Sequence, residues 1–434
     1  MVEKVKKVVE QPEPLKELEK IQPKPLPKLP QIRESASLES FFGIGKYVSL
    51  ELRNLKKRNP DIDSMSDEEK ARLLFRWLMQ GEESIREIKS GEGWTRKSLG
   101  YNRDRSIPRY FFVDDKAADC FGSAVLYTAM ARRLGLRANF VYVHEGHDGS
   151  QHSHACSSVD LNGRTILADA TSETQDGFDI NHRGWVKMSD REVYFLSMAY
   201  HYDNVGNDLF AEGYLRKILD TNPNFVNGWY MLGDIFLMRG DRDSAEKMFE
   251  RALSLYSRHL FVLNNMADIY LKKGNLSEAR GYIDKGLKVN PQNPLLLCTL
   301  GEIFEAEKDD ENAVKAFIAS LENSNPNLPE AQENALAGLQ RTSERLMSAN
   351  GESPFLLTEL GRAFVRANEP NRAIAYLARA NTLSPNNPNI LHLLGRTYEL
   401  FGDPEKAKKY YRRALKVNPK DEEAREHLRV LDGK

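Results

Sequence analysis

The chain has 434 residues, of which 41% are apolar by type, and its 62 basic and 63 acidic residues leave a formal net charge of −1. This composition supports a substantial core and two or three domains, and the balanced charge gives no reason to expect a nucleic acid as partner. The three cysteines are too few for a disulfide framework and favour free thiols in a reducing compartment.

The N-terminal residues 1–36 mix Lys, Glu and Pro, as in QPEPLKELEKIQPKPLPKLP. Prolines block helix and strand while the charges oppose collapse, so we predict a flexible tail. The start of the chain is positively charged but lacks the apolar core of a signal peptide, and no run of 18 apolar residues occurs later. We therefore expect a soluble, cytoplasmic protein with no membrane partner.

Residues 37–191 predict an α+β domain. Ser66 and Glu69 form a capping box before the helical pattern ARLLFRWLM. The segment KAADCFGSAVLYTAMARRLGL predicts a second, strongly apolar helix, since Arg132 and Arg133 suit its negative end and Gly135 suits the left-handed position that follows.

Three strand-like runs follow this helix: ANFVYV, CSSVDL and RTILAD. Asn162-Gly163 predicts a two-residue turn between the last two, so that residues whose numbers sum to 325 lie opposite each other. Asp169 then faces Cys156, and His154 is its diagonal neighbour on the same face. This geometry predicts a His154–Asp169 pair, which would favour the protonated imidazole that a thiol nucleophile needs beside it.

Cys120 is the candidate nucleophile because it lies near the start of the apolar helix, where free N–H groups and the helix dipole lower a thiol pKa. The stretches ADCFGSAVLYTAMARRLGLRANFVYV and HACSSVDLNGRTILADAT resemble the transglutaminase-like branch of the papain-like thiol enzymes. The resemblance places Cys120, His154 and Asp169 on the catalytic triad. It implies acyl transfer at peptide or side-chain amides, by hydrolysis or by transamidation.

A metal site is the alternative interpretation of this region. His144, His147, His152, His154 and Cys156 are all of ligand type, but none of their separations is one that pre-forms a site on a turn or helix. We therefore expect neither a metal nor another cofactor.

From residue 192 the sequence repeats with a period of about 34 residues. A small residue occupies the eighth position and an alanine the twentieth of units that begin near 192, 226, 260, 294, 354 and 388. The pattern resembles the tetratricopeptide repeat (TPR) family. We predict four units over 192–327, an extra helix within 328–353, and two units with a capping helix over 354–434.

The ninth position of each unit in this family usually faces a concave groove. The residue there is a tyrosine in the first unit, acidic in the next three units and basic in the last two. This change of sign suggests a groove for a polypeptide of mixed charge; solvated polar positions are the alternative. These residues are Tyr200, Asp234, Asp268, Glu302, Arg362 and Arg396.

The sequence thus predicts an α+β transglutaminase-like domain followed by an all-α TPR solenoid. The predicted function is thiol-dependent acyl transfer on protein amides, with polypeptide partners recruited by the repeats. The alternative is a catalytically inactive scaffold that uses the TPR groove alone.

Overall fold

A computed structural model describes residues 26, 29, 36–42, 44–80, 116–145, 154–168, 182, 184–324 and 329–433. The chain divides into two compact units, Met1–Ser257 and Arg258–Lys434. Among the described residues, no helix has the length and apolar character needed to cross a membrane.

In the described part of the first unit, helices precede the sheet. The predicted capping box is confirmed, since the Ser66 backbone N–H donates to Glu69 Oε2 at 2.8 Å. Tyr127 ties a later helix to this region by donating its hydroxyl to the Ala71 carbonyl at 3.1 Å. The helices are α1 (Leu38–Phe42), α2 (Gly45–Arg58), α3 (Asp67–Gln80) and α4 (Lys116–Arg133), with a 3₁₀ turn at Pro60–Ser64.

An antiparallel sheet with the strand order β3-β2-β1-β4 follows α4. The predicted register is confirmed from Leu161↔Arg164 to Ser157↔Ala168. Asn162 and Gly163 have φ of 49° and 81°, the double left-handed conformation of a tight hairpin turn. The sequence missed β4, which pairs with β1. The strands are β1 (Ala138–Glu145), β2 (His154–Leu161), β3 (Arg164–Ala168) and β4 (Gly184–Met188).

The first two repeats complete this unit. The first helix of each repeat, its A helix, contains the small residue that the period predicted, and Gly233 lies directly against the ring of Phe249 in the second helix of its repeat. A side chain at Gly233 would collide with this ring, so the glycine sets the close approach of the two helices. The helices are α5 (Asp190–Asn204), α6 (Asp208–Thr221), α7 (Val226–Met238) and α8 (Arg242–Leu255).

The second unit is all helical in its described part. It has one helix at Pro329–Asn350, within the predicted insert, and a last helix at Glu422–Leu431. The helices are α9 (Leu260–Lys272), α10 (Leu276–Val289), α11 (Pro294–Ala306), α12 (Asp310–Glu322), α13 (Pro329–Asn350), α14 (Pro354–Arg366), α15 (Pro370–Leu383), α16 (Pro388–Leu400), α17 (Pro404–Val417) and α18 (Glu422–Leu431).

Ion pairs hold α13 against the fourth repeat. Arg341 pairs with Glu305 at 2.6 Å, and Arg345 pairs with both Glu305 at 2.9 Å and Asp310 at 2.5 Å. The hydrogen bonds from these two guanidinium groups hold the pKa of Glu305 below its ordinary value, against the effect of burial. The inserted helix is therefore attached by a shared charge network as well as by apolar packing.

Candidate active site and candidate groove

The direction of α4 across the sheet is fixed by hydrogen bonds, of which those to Ser157 are buried. Near its C-terminal end, Arg132 Nε donates to the Ala138 carbonyl at 2.8 Å, where β1 begins. Two turns earlier on the helix, the Ala124 carbonyl accepts a hydrogen bond from Ser157 Oγ of β2 at 2.8 Å. The same Oγ lies 2.9 Å from Thr128 Oγ1. The helix therefore runs antiparallel to β1, with its N-terminal part directed toward the sheet end where β2 begins.

His154 is the first residue of β2 and stands at this end of the sheet, opposite Val143. Its ring lies 5.9 Å from the ring of His182, which is 6% exposed. Sequence reasoning missed His182. Its position two residues before β4 could have indicated that it lies near His154, but β4 itself was not predicted.

Cys120, the candidate nucleophile, lies in the N-terminal third of α4, although the placement of its side chain is outside the described residues. The following Phe121 is buried between Phe140 of β1, at a ring distance of 4.8 Å, and Phe42 of α1, at 6.4 Å. These contacts fix α4 against the sheet one residue after Cys120.

Asp169 also lies outside the described residues, one position beyond the end of β3. The observed register pairs Ser157 with Ala168. Continuing it by one position sets Asp169 opposite Cys156, as the sequence predicts, and the pairing itself stays a prediction.

The two faces of β2 have different surroundings. Ser157 contacts α4, whereas Cys156 is 1% exposed in an apolar cluster with Val141 and Leu167. Because side chains alternate along a strand, His154 leaves the sheet on the Cys156 side. Because α4 packs on the opposite side of β2, a contact between the His154 and Cys120 side chains would have to be made around the end of this strand.

The ligand-type residues of the metal hypothesis are only partly described. The imidazole of His144 lies against Gly184 and at a ring distance of 4.9 Å from Tyr256, and Cys156 is enclosed in the apolar cluster. His147 and His152 lie outside the described residues. Within the described part of the chain, no group of three His, Cys, Asp or Glu residues is arranged to hold a metal ion.

In the first unit, the candidate groove position Tyr200 is occupied by contacts inside the protein. Its hydroxyl lies 3.2 Å from the hydroxyl of Tyr142 on β1 and accepts a hydrogen bond from Asn227 Nδ2 at 3.1 Å. The second position, Asp234, is half-buried on α7. Tyr200 thus connects the sheet to the first two repeats.

In the second unit, Asp268 and Glu302 are half-buried on successive A helices. The pKa of Glu302 is raised above its ordinary value, mainly by burial and also by the nearby Asp268 carboxylate. Arg341 of α13 opposes this shift without cancelling it. Arg362 forms an ion pair with Glu359 at 3.4 Å, and Arg396 is exposed. The sequence did not predict that Arg341 lies near Glu302, because the inserted helix breaks the repeat register.

Family models match part of the N-terminal half and part of the C-terminal half of the chain. The transglutaminase-like superfamily matches residues 59–189, and the tetratricopeptide repeat matches residues 236–297 and 364–429. The chain thus carries a transglutaminase-like domain followed by TPR repeats, in the predicted order.

Particular relatives are similar over shorter stretches. Human tetratricopeptide repeat protein 7B is 28% identical over 30% of this chain and 15% of its own length. The cytochrome c-type biogenesis protein CycH of Pseudomonas aeruginosa is 29% identical over 32% of this chain and 35% of its own length. The chain thus spans about a third or less of these relatives. The crystal structure of the Cut9–Hcn1 hetero-tetramer of the APC/C matches with 21% identity and a TM-score of 0.29, over 55% of this chain and 42% of its own.

Proposed function

We propose that this protein is a thiol-dependent acyltransferase acting on protein or peptide amides, and that its repeats recruit the polypeptide. The observation that supports the proposal is the direction of α4, whose N-terminal part contains Cys120 and points toward the end of the sheet where His154 begins β2. The match to the transglutaminase-like superfamily over 59–189 supports the same assignment.

The proposed chemistry requires a thiolate at Cys120. Its sulfur attacks the amide carbonyl, and the protonated His154 imidazole gives its proton to the departing amine as the thioester forms. Water or a second amine then attacks the thioester and regenerates the thiol, so the step is hydrolysis or transamidation. Asp169 orients His154 by hydrogen bonding.

Recruitment is proposed for the array in the second unit. Asp268 and Glu302 supply an acidic portion, and Arg362 and Arg396 supply a basic portion further along the repeats. A polypeptide that carries a basic segment and an acidic segment would match this order of charges. Holding the substrate in this way raises its local concentration at a catalytic domain of low intrinsic selectivity.

The proposal is tested by the rate of iodoacetamide labelling of each cysteine as a function of pH, in the parent and in His154→Ala. The chain supplies its own references, because Cys156 and Cys298 are both buried and burial raises the pKa of Cys298 to about 12. We expect Cys120 to label rapidly at and below neutral pH in the parent, and slowly in the variant.

The opposite result favours the alternative of an inactive scaffold. Slow labelling of Cys120 with an ordinary thiol pH profile, unchanged by His154→Ala, would refute the thiolate–imidazolium pair. The function would then rest on polypeptide binding by the repeats. Charge reversal of Asp268 and Glu302 together should weaken the binding of a basic peptide in either case.

A further inference from the structure

The outer face of α6, the second helix of the first repeat, differs from its counterparts in the other repeats. Gly213 occupies the twenty-second position of its unit and is buried. The equivalent residues are exposed in all five other units: Lys247, Gly281, Lys315, Ala375 and Lys409. Among the residues that the structure describes, this position is therefore covered in the first repeat and open in the other five.

The cover at Gly213 comes from the N-terminal part of this same chain. A β-carbon built on Gly213 would lie 3.4 Å from one δ-carbon of Leu29 and 3.6 Å from the other, which is van der Waals contact. By contrast, a β-carbon on the equivalent Gly281 would meet no atom within 4 Å. Both Leu26 and Leu29 are half-buried.

Charged side chains beside Gly213 are buried too. Glu212 is 4% exposed and Arg216 is 9% exposed, and they pair with each other at 2.6 Å. Arg239 of the next repeat adds a second ion pair to Glu212 at 2.5 Å. This charge cluster is adjacent along α6 to Gly213, the residue that Leu29 contacts.

The local sequence suits an extended ligand. Leu26 and Leu29 each precede a proline, and residues in that position are restricted to extended backbone conformations. In the left-handed polyproline conformation, with three residues per turn, residues three apart lie on the same side. The two leucines of PLPKLP would then face α6 together.

The chain is also anchored a few residues further on. The Leu38 backbone N–H donates to Asp190 Oδ2 at 3.0 Å, and the ring of Phe41 stacks on Tyr194 at 5.0 Å. Both partners lie on α5, the helix paired with α6. The seven residue steps from 29 to 36 span at most about 25 Å, so Leu29 cannot lie far from this anchor. Both contacts are made with the first repeat.

We propose that the outer face of α6 is a docking surface for the chain's own Leu26–Leu29 segment, which straps the first repeat to the transglutaminase-like domain. The strap seats Leu29 on Gly213, where the missing side chain leaves room for it. It thereby joins the repeat to the N-terminal helices.

The test compares hydrogen exchange of α6 in full-length variants. Leu26→Asp/Leu29→Asp removes the apolar contact, and we expect exchange within residues 208–221 to become about tenfold faster. Leu15→Asp/Leu18→Asp is the matched control, because it makes the same change to leucines with the same spacing in the same tail. Equal exchange of α6 in the parent and in Leu26→Asp/Leu29→Asp would overturn the proposal.

A second pair of variants decides the question if the double variant loosens the whole chain. Gly213→Lys places a side chain where Leu29 packs, and lysine is the residue at the equivalent position of three other repeats. Gly281→Lys is the control, because it makes the same change at an equivalent position that no side chain covers. Faster exchange of α6 in Gly213→Lys, without a change around Gly281→Lys, supports the strap; protection equal to the parent in both overturns it.

A synthetic peptide of residues 22–33 supplies the strap in trans. Added to the Leu26→Asp/Leu29→Asp protein, it should restore the protection of α6, whereas the same peptide carrying both aspartates should not. Failure of the parent peptide at saturating concentration would show that the surface does not recognise this segment.

Discussion

Ser157→Ala should loosen α4 and slow the reaction of Cys120. The Ser157 hydroxyl is fully buried, donates to the Ala124 carbonyl at 2.8 Å and lies 2.9 Å from the Thr128 hydroxyl. Its removal leaves the buried Thr128 hydroxyl without this partner, at a cost of about 1–3 kcal/mol. The loss falls on the hydrogen bonds that fix α4 on β2, so we expect local opening of this helix.

The neighbouring Ser158 supplies the matched control. It is equally buried, and its Oγ has no hydrogen-bond partner among the residues that the structure describes. Ser158→Ala should therefore be neutral or slightly stabilising, since it removes an unsatisfied polar atom. The two variants lose the same atom from adjacent residues of one strand.

The assay is hydrogen exchange of α4 combined with iodoacetamide labelling of Cys120. Ser157→Ala should raise exchange in the helix and lower the labelling rate at neutral pH, and Ser158→Ala should change neither. A Thr128→Val background should reduce the effect of Ser157→Ala by about 1 kcal/mol, because one partner is already absent. Equal behaviour of the two serine variants would refute the idea that this hydrogen bond positions the helix.

Three further predictions concern the second unit. Cys298 should resist iodoacetamide at pH 8 until urea unfolds the chain, because burial raises its pKa to about 12. In urea titrations, Gly301→Ala should lower the free energy of unfolding by about 1–3 kcal/mol, because the new carbon would lie 2.6 Å from the Phe317 ring. Gly281→Ala should raise it by about 0.5–1 kcal/mol, because a β-carbon there meets no atom within 4 Å and alanine favours the helix. The pKa of Glu305 is lower in the folded protein than its ordinary value of 4.5, so the ionised Glu305 stabilises the fold at pH values above 4.5. This stabilisation is lost as the pH falls through the lowered pKa. Hydrogen exchange of α13, corrected for intrinsic rates, should therefore rise in acid, and Glu305→Gln should remove most of that pH dependence.

The sequence was most informative where local chemistry decides the structure. Asn162-Gly163 tolerates two successive left-handed residues, and this turn fixed the register of β2 on β3. The repeat period identified Gly233 and Gly301 because helices can approach this closely only at a residue without a side chain.

Elements that depend on distant partners were missed. The strand β4 is a five-residue segment, GWVKM, whose conformation is set by pairing with β1 some 40 residues earlier along the chain. His182 could not be connected to His154 without that strand. The contact of Arg341 with Glu305 likewise depends on how α13 packs on the fourth repeat, which the sequence did not predict.

The central claim is tested most directly by acylation of the enzyme with p-nitrophenyl acetate. In the proposed mechanism, the Cys120 thiolate attacks the ester carbonyl and p-nitrophenolate leaves, so one equivalent is released in a burst while an acetyl thioester accumulates. Peptide mass mapping should place the acetyl group on Cys120, and the burst should disappear in Cys120→Ser and in His154→Gln. Absence of a burst in the parent, with acetylation spread over surface lysines, would contradict the assignment of Cys120 and His154 as a catalytic pair.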